Sequence, residues 1–276
     1  MTAIHKRTIL DTFSHKLEAK PEGIGIEIEL EFRKMDNLHR LEDVAWDVKL
    51  DNSLKDGYEF ISRIPISYDR FPTVIHKFYH NLVTADVIPR DSIRASTHLH
   101  FNCQRMTWQQ AVTFLTAYWL VEEVIVPRFC GRERHGNMFC LGLMDAEFPL
   151  DVMETVLREE DIGLLGIRAN HLKYSSVNIS TLDRFGTLEF RTLRTPVNDP
   201  EVIIQWFNVL NALRQNSQQH FNNPLELVES ISDLGPRDLC QRLLPEVELT
   251  LEEEGKVLRS ARLVQSLAYQ VDWEGA

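Results

Sequence analysis

From Ile24 to Phe32 the chain alternates. Ile24, Ile26, Ile28, Leu30 and Phe32 are apolar, and Glu27, Glu29 and Glu31 stand between them. Such a period of two predicts a strand over Gly23 to Arg33, one face oily and the other acidic. Shorter strands are predicted over Val44 to Leu50 and Gly57 to Ile61, joined by the turn residues Asp51-Asn52-Ser53 and Asp56-Gly57. Ser96 to Cys103 alternates again, and Lys173 to Ile179 with Gly186 to Leu193 reads as a strand pair. Elsewhere the apolar spacing turns helical, over Phe71 to Val83 and over Leu150 to Glu160. Thr107 with Gln110 makes a capping box before a strongly apolar helix that ends at Pro127. Asp199-Pro200-Glu201 opens another helix, to about Arg214. Arg128 to Glu147, rich in Gly, Arg and Asn, reads as a long loop. Strands and helices are mixed rather than strictly alternating, so the predicted class is α+β.

Composition removes several functions. The 276 residues suit one large domain or two small ones. With 43 % hydrophobic and 26 % charged residues, wholesale disorder is excluded. Thirty basic against 41 acidic residues give a net charge of −11. No basic footprint is left for nucleic acid or an anionic membrane, and neither is expected as a partner. The longest apolar stretch, Ala111 to Val126, is broken by Thr113, Thr116, Glu122 and Glu123, too polar for a membrane span. No apolar signal region follows Lys6 and Arg7, so secretory export is not expected. Cys103, Cys130, Cys140 and Cys240 form no CxxC pair, a pattern that points to a reducing cytoplasm.

The acidic strand face carries the most information. Same-face neighbours lie roughly 6.5–7 Å apart, which costs about 2–2.5 kcal/mol per carboxylate pair at an effective dielectric near 20. Either this face is fully solvated or cations compensate it, and hard cations such as Mg²⁺ favour carboxylate oxygens. Asp51 opens a turn and Asn52 reads as a turn former. Glu59 stands among Tyr58, Phe60 and Ile61, either on a solvated outer face or in a site. His98, His100 and Asn102 share a strand face, which fits a metal or phosphate contact as well as structural histidines. Their spacing is not that of the HExxH zinc-protease helix. Glu189 and Arg191 also share a face, as a common ion pair would. Arg128, Arg132, Arg134 and His135 offer mobile loop cations, a solvated run or a phosphate clamp. No P-loop, GxGxxG or GxSxG pattern is present.

Taken in order, these segments resemble the motifs of the amidoligase family, relatives of glutamate–cysteine ligase and glutamine synthetase. Gly25-Ile26-Glu27-Ile28-Glu29 resembles its GxExE strand. Asp51-Asn52-Ser53 through Gly57-Tyr58-Glu59-Phe60-Ile61-Ser62 resembles its D-x-S…G-x-E-x-x-S segment. Thr97-His98-Leu99-His100-Phe101-Asn102 resembles its H-x-H-x-N strand. Lys173-Tyr174 to Asn178, with Thr187-Leu188-Glu189-Phe190-Arg191 and Thr195, resembles its K-Y…V-N and T-x-E-F-R…T block. The resemblance spans about residues 23 to 213.

It implies an ATP-dependent carboxylate–amine ligase of the glutamine synthetase-like fold. A curved, mainly antiparallel sheet would form a trough, with helices packed on its outer side. Residues 1–220 would be the catalytic domain, and 221–276 an acidic helical extension packed on or near it. Carried over by position, Glu27, Glu29, Glu59 and Glu189 hold two or three Mg²⁺ ions, with Asp51 added. His98 or His100 is a ligand or a phosphate contact. Arg191 stabilises the transferring phosphoryl group, and Glu59 and Glu189 complete the catalytic set. Asn178 belongs to the matched block and is expected at the nucleotide. Lys173, Arg132 and Arg134 are expected phosphate contacts on their charge alone, and Glu31 lies outside the motif.

A substrate carboxylate would attack the γ-phosphate of ATP, and an amine would displace phosphate from the acyl phosphate. The expected partners are therefore a small-molecule or peptide carboxylate and an amine; an oligomer is compatible. Two anions must meet, so cations must screen them. A guanidino-type phosphotransferase on the same fold would need a dense arginine cluster, and only Arg191 is placed on a strand. A non-catalytic nucleotide- or ligand-binding module would leave buried carboxylates without metal, which is destabilising.

Overall fold

Residues 4–34, 41, 45–134, 136–159, 162–167 and 170–273 are described by the computed structural model. Its strands are β1 (Ile24–Lys34), β2 (Trp46–Leu50), β3 (Gly57–Ser62), β4 (Ile88–Arg90), β5 (Ser96–Asn102), β6 (Val177–Asn178) and β7 (Thr187–Arg194). Its α-helices are α1 (Ile9–Thr12), α2 (Phe71–Thr84), α3 (Trp108–Ile125), α4 (Phe148–Arg158), α5 (Ile162–Leu165) and α6 (Thr181–Arg184). They continue with α7 (Pro200–His220), α8 (Pro224–Leu243) and α9 (Leu251–Tyr269). The strands form one open sheet in the order β2-β3-β1-β5-β7-β6, with β4 beside the far end of β1. Each of these strand pairings is antiparallel, so the fold is α+β.

The alternation in β1 has the effect it predicts. Ile24, Ile26, Ile28, Leu30 and Phe32 are buried on one face, together with Phe60, Leu99, Phe101 and Phe190 of neighbouring strands. Helices cover that face. Phe78 of α2 packs on Trp46 and Phe60, Phe114 of α3 on Phe101 and Phe190, and Phe207 of α7 on Phe101. Burying each such ring contributes about 1.5–3 kcal/mol. The capping box at Thr107 and Gln110 forms as expected and starts α3. Helices α8 and α9 pack on α3, and their Leu239, Leu243, Val264 and Leu267 join the same core. Gly235 takes φ +78 inside α8, just before Pro236, and kinks it into two helical pieces. No helix among the described residues is long and apolar enough to cross a membrane.

Three segments depart from the predicted pattern. Lys173 to Tyr174 is the end of a 3-10 helix (Asn170–Tyr174), and strand remains only at Val177–Asn178. The Ser175 hydroxyl lies 2.5 Å from the Leu172 carbonyl and 2.6 Å from that of Val177, so the side chain favours a turn over a longer strand. Helix α7 runs past Arg214 to His220, ending where the Phe221 N–H caps the Ser217 carbonyl. The expected loop from Arg128 begins as a π-helical turn over Val126–Cys130 and then forms a 3-10 turn at Arg132–Arg134. Val44 and Glu160, expected element ends, and His135 lie outside the described residues.

Candidate metal centre

β1, β5 and β7 lie side by side with a fixed register. Gly25 pairs with His100, Glu27 with His98, and His100 with Glu189. Paired residues of antiparallel strands rise on the same face. Glu27, His98, His100, Glu189 and Arg191 therefore share the face that the helices leave uncovered. β6 adds Asn178 opposite Glu189, and β3 adds Glu59 opposite Glu29. Gly25 leaves room for this crowding, since a Cβ there would lie 3.3 Å from the His100 Cβ.

The side chains meet at bonding distance. His98 Nδ1 lies 3.1 Å from Glu27 Oε2 and 3.4 Å from Glu189 Oε1. His98 Nε2 lies 2.9 Å from the Ser96 hydroxyl, which also donates to Glu29 Oε2 at 2.8 Å. His100 Nδ1 is 3.3 Å from the Thr187 hydroxyl. Its Nε2 stands 3.3 Å from Glu27 Oε1 and 3.9 Å from Glu189 Oε1, buried and without an aligned hydrogen bond. Asn178 donates to Glu189 Oε2 at 2.7 Å, and the Arg191 guanidinium pairs with Glu189 Oε1.

The charges answer one another. Burial pushes the Glu27 carboxyl up, yet His100 and His98 outweigh it and hold the carboxyl well below its ordinary range. Burial acts on Glu189 in the same sense and is overcome by Arg191 and the histidines, so Glu189 also stays low. His100 loses by burial but gains more from Glu189 and Glu27, and is raised. Glu59 is half-buried and raised, first by burial and then by Glu27, with Asp51 and Glu29 adding to it. His100 and Arg191 thus answer the two carboxylates, and a divalent ion here would take the place of the histidine proton.

Glu27, His100 and Glu189 each offer a ligand atom, and these atoms lie within 4.8 Å of one another. With the His100 nitrogen buried among them and 3.3 Å from Glu27, the residues fit a divalent ion in place of its proton. Mixed imidazole and carboxylate donors suit Mn²⁺ and Zn²⁺ as well as Mg²⁺. A cleft of about 510 Å³ opens beside Glu27 and His100, with Lys16, Arg63, Arg184 and Phe185 in its walls.

Other expected site residues fall outside this contact set. Asp51 accepts from the Ser53 N–H at 2.8 Å, a turn contact at the far end of β2, although its charge reaches Glu59. Glu31 faces the same way as Glu27 but is taken up by Arg90 at 2.5 Å and the Lys55 N–H at 2.9 Å. Lys173 is exposed, its ammonium 5.0 Å from the Tyr174 ring centre. Arg132 is exposed on its 3-10 turn. Arg134 is not the mobile cation expected: it is buried and donates to the carbonyls of Thr192 and Arg191 at 2.7 and 3.1 Å. Arg128 is likewise committed, to Glu253 of α9. Ser96 and Thr187, to which the sequence assigns no role, orient the histidines; they lie two residues before His98 and Glu189, on the same strand face. No protein-family model and no curated protein matches the chain.

Proposed function

We propose that the protein is an ATP- and Mg²⁺-dependent carboxylate–amine ligase that works through an acyl phosphate, as its resemblance to the amidoligases implies. The observation that carries this reading is the convergence of Glu27, His100 and Glu189, with Arg191 alongside, on the sheet face opposite the helices. That face is then the trough of a glutamine synthetase-like fold. Divalent ions bound there would screen the phosphates from the attacking carboxylate and stabilise the transferring group. Glu27, Glu189 and His100 hold the ion, and Glu29 and Glu59 extend the acidic row. Asn178 fixes Glu189, and Ser96 fixes both Glu29 and His98. Arg191 keeps its Nε buried and unpartnered among the described residues, a donor left for phosphoryl oxygens. Glu59, raised by burial and by Glu27, would take the proton that the amine sheds as the amide forms and phosphate leaves.

The test is phosphate release from ATP with pooled carboxylates and amines, in the presence of Mg²⁺ or Mn²⁺. Amide plus phosphate is the expected product. A phosphorylated guanidine would assign a phosphotransferase instead, and no turnover with tight nucleotide binding would leave a binding module. Thermal melts give an independent check. At a hundred times its dissociation constant, a ligand specific for the native state stabilises it by about 2.7 kcal/mol. The melting temperature is expected to rise with the metal and further with nucleotide; no shift at millimolar Mg²⁺-ATP would overturn the ATP reading.

A further inference from the structure

Behind β7, on the side that faces the helices, a second polar cluster surrounds Glu122 of α3. Its exposure is 4 %, in a helix whose neighbouring positions are almost all apolar. Glu122 Oε2 accepts the Leu143 N–H at 2.8 Å, while its Oε1 is buried with no aligned partner. Tyr118, one turn earlier on the same helix, also buries an unpartnered hydroxyl. Gly142 passes so close that a Cβ there would stand 3.2 Å from the Glu122 carboxylate. Ser176, Thr192, Cys140, Arg134 and Asp145 close the cluster around a void of about 10 Å³. That is room for about one water.

The groups facing Glu122 leave its charge unanswered. Arg134 is turned to the carbonyls of β7, and no basic side chain among the described residues lies within ion-pair distance of Glu122. Burial pushes its carboxyl up to about 7, opposed by the Leu143 N–H and by the nearby hydroxyls of Ser176 and Tyr118, and Asp145 adds to burial. Glu123, its sequence neighbour, pairs outward with Arg259 of α9.

A short chain of bonds links this carboxyl to the metal centre. Leu143 lies two residues beyond Leu141, whose N–H donates to Tyr174 and whose carbonyl accepts the Ser176 N–H, both at 2.8 Å. The Ser176 carbonyl accepts the Arg191 N–H at 2.8 Å, and Asn178, two residues on, donates to Glu189. We propose that Glu122 is a positioning residue, whose neutral carboxyl clamps residues 141–145 against 174–178 and thereby holds Asn178 on Glu189, and whose ionisation releases the clamp. The link to the centre rests on reading Glu189 as a metal ligand.

The sign follows from the two states. In the closed clamp Glu122 binds its proton up to about pH 7, and in an opened one it returns to the ordinary 4.5. Opening therefore becomes easier as pH rises from about 4.5 and levels off above about 7. Hydrogen exchange over residues 137–145, compared between wild type and Glu122→Gln at equal pH, cancels the intrinsic rate. At pH 4, below both values, the two are expected to match closely. At pH 8 the wild type should exchange about tenfold faster or more, because glutamine cannot ionise. Asp145→Asn in the wild-type background should move the midpoint to lower pH, a second reading if the glutamine variant folds poorly. Calorimetric titration with Mn²⁺ alone at pH 8 reads the link, with Glu122→Gln expected to bind several-fold more tightly.

The outcomes are distinct. Exchange that ignores residue 122 at every pH overturns the clamp. Exchange that depends on residue 122, with equal Mn²⁺ affinity in both proteins, overturns its connection to the site. Failure of either protein to bind Mn²⁺ overturns the metal centre itself, and with it the positioning role, whatever the exchange shows.

Discussion

Asn178 shows what a single side chain does at this centre. Its amide donates to Glu189, while its carbonyl oxygen is occupied by the Ser180 N–H at 3.1 Å and hydroxyl at 2.7 Å. The side chain can therefore point only one way, and Glu189 is held with it. Groups that orient a ligand typically account for about ten- to a hundredfold in metal affinity. Asn178→Ala is expected to weaken Mn²⁺ binding by that factor in a calorimetric titration, while circular dichroism still reports the folded sheet. Arg191→Lys tests the neighbouring position. Lysine keeps the charge but loses the fork, so a structural ion pair would survive and a phosphoryl clamp would not. Loss of such a donor costs about a hundred- to a thousandfold in rate. Phosphate release by the variant, at matched thermal stability, should fall by that much; equal turnover would leave Arg191 a structural role only. At this scale the sequence was readable wherever a period of two fixed the face, as for Glu27, His98, His100 and Glu189. It misled on Arg134, expected as a mobile phosphate contact, because that burial depends on carbonyls almost sixty residues away, at Thr192 and Arg191.

Elements were legible in proportion to how local their causes are. β1, β5 and β7 follow from alternation, and α3 starts at its capping box. There the Thr107 hydroxyl accepts the Gln110 N–H at 3.2 Å, and the Gln110 side chain accepts the Thr107 N–H at 3.0 Å. Thr107→Ala removes one half of this exchange, and such caps contribute about 1 kcal/mol. For a chain this long the melting temperature should fall by about 2–4 °C, with no change in Mn²⁺ affinity. The segment before Asn178 misled for a local reason too. Lys173 and Tyr174 look strand-like, but Ser175 bonds to backbone on both sides and shortens the strand. Helix α7 outran its expected end because Gln215 to His220 holds neither glycine nor proline to stop it. The registers that bring His100 across from Glu189 were not legible at all, being set by pairing between distant strands.

On the scale of the whole molecule, the C-terminal helices are bound into the core. α9 lies along α3, and Arg128 grips Glu253 at the start of α9 through Nε at 3.0 Å and Nη2 at 2.5 Å. Burial raises the Glu253 carboxyl, but Arg128 and the Thr250 cap together outweigh it and hold it at about 2. A folded-state pKa lowered in this way stabilises above the ordinary value of 4.5 and loses that contribution as pH falls towards 2. Acid melts of wild type should therefore drop more steeply between those limits than melts of Arg128→Gln, which begins without the pair. Scanning calorimetry of the full chain is expected to show one transition, since one set of buried side chains runs from Ile9 to Trp273. Two transitions would mark residues 221–276 as separable.

The ends of the sheet carry one more consequence, for how the protein treats its own copies. Among the described residues the row of strands stops at β2 on one side and at β6 on the other. β6 is two residues long, too brief to seat a foreign strand, and β2 is five residues long with Asp47 and Lys49 set along it. Short, charged borders of this kind are poor templates for sheet-to-sheet growth. Concentrated solutions should therefore remain free of fibrils, with thioflavin fluorescence flat over days. Replacing Asp47 and Lys49 together by valine should be enough to start the polymerisation that these borders prevent.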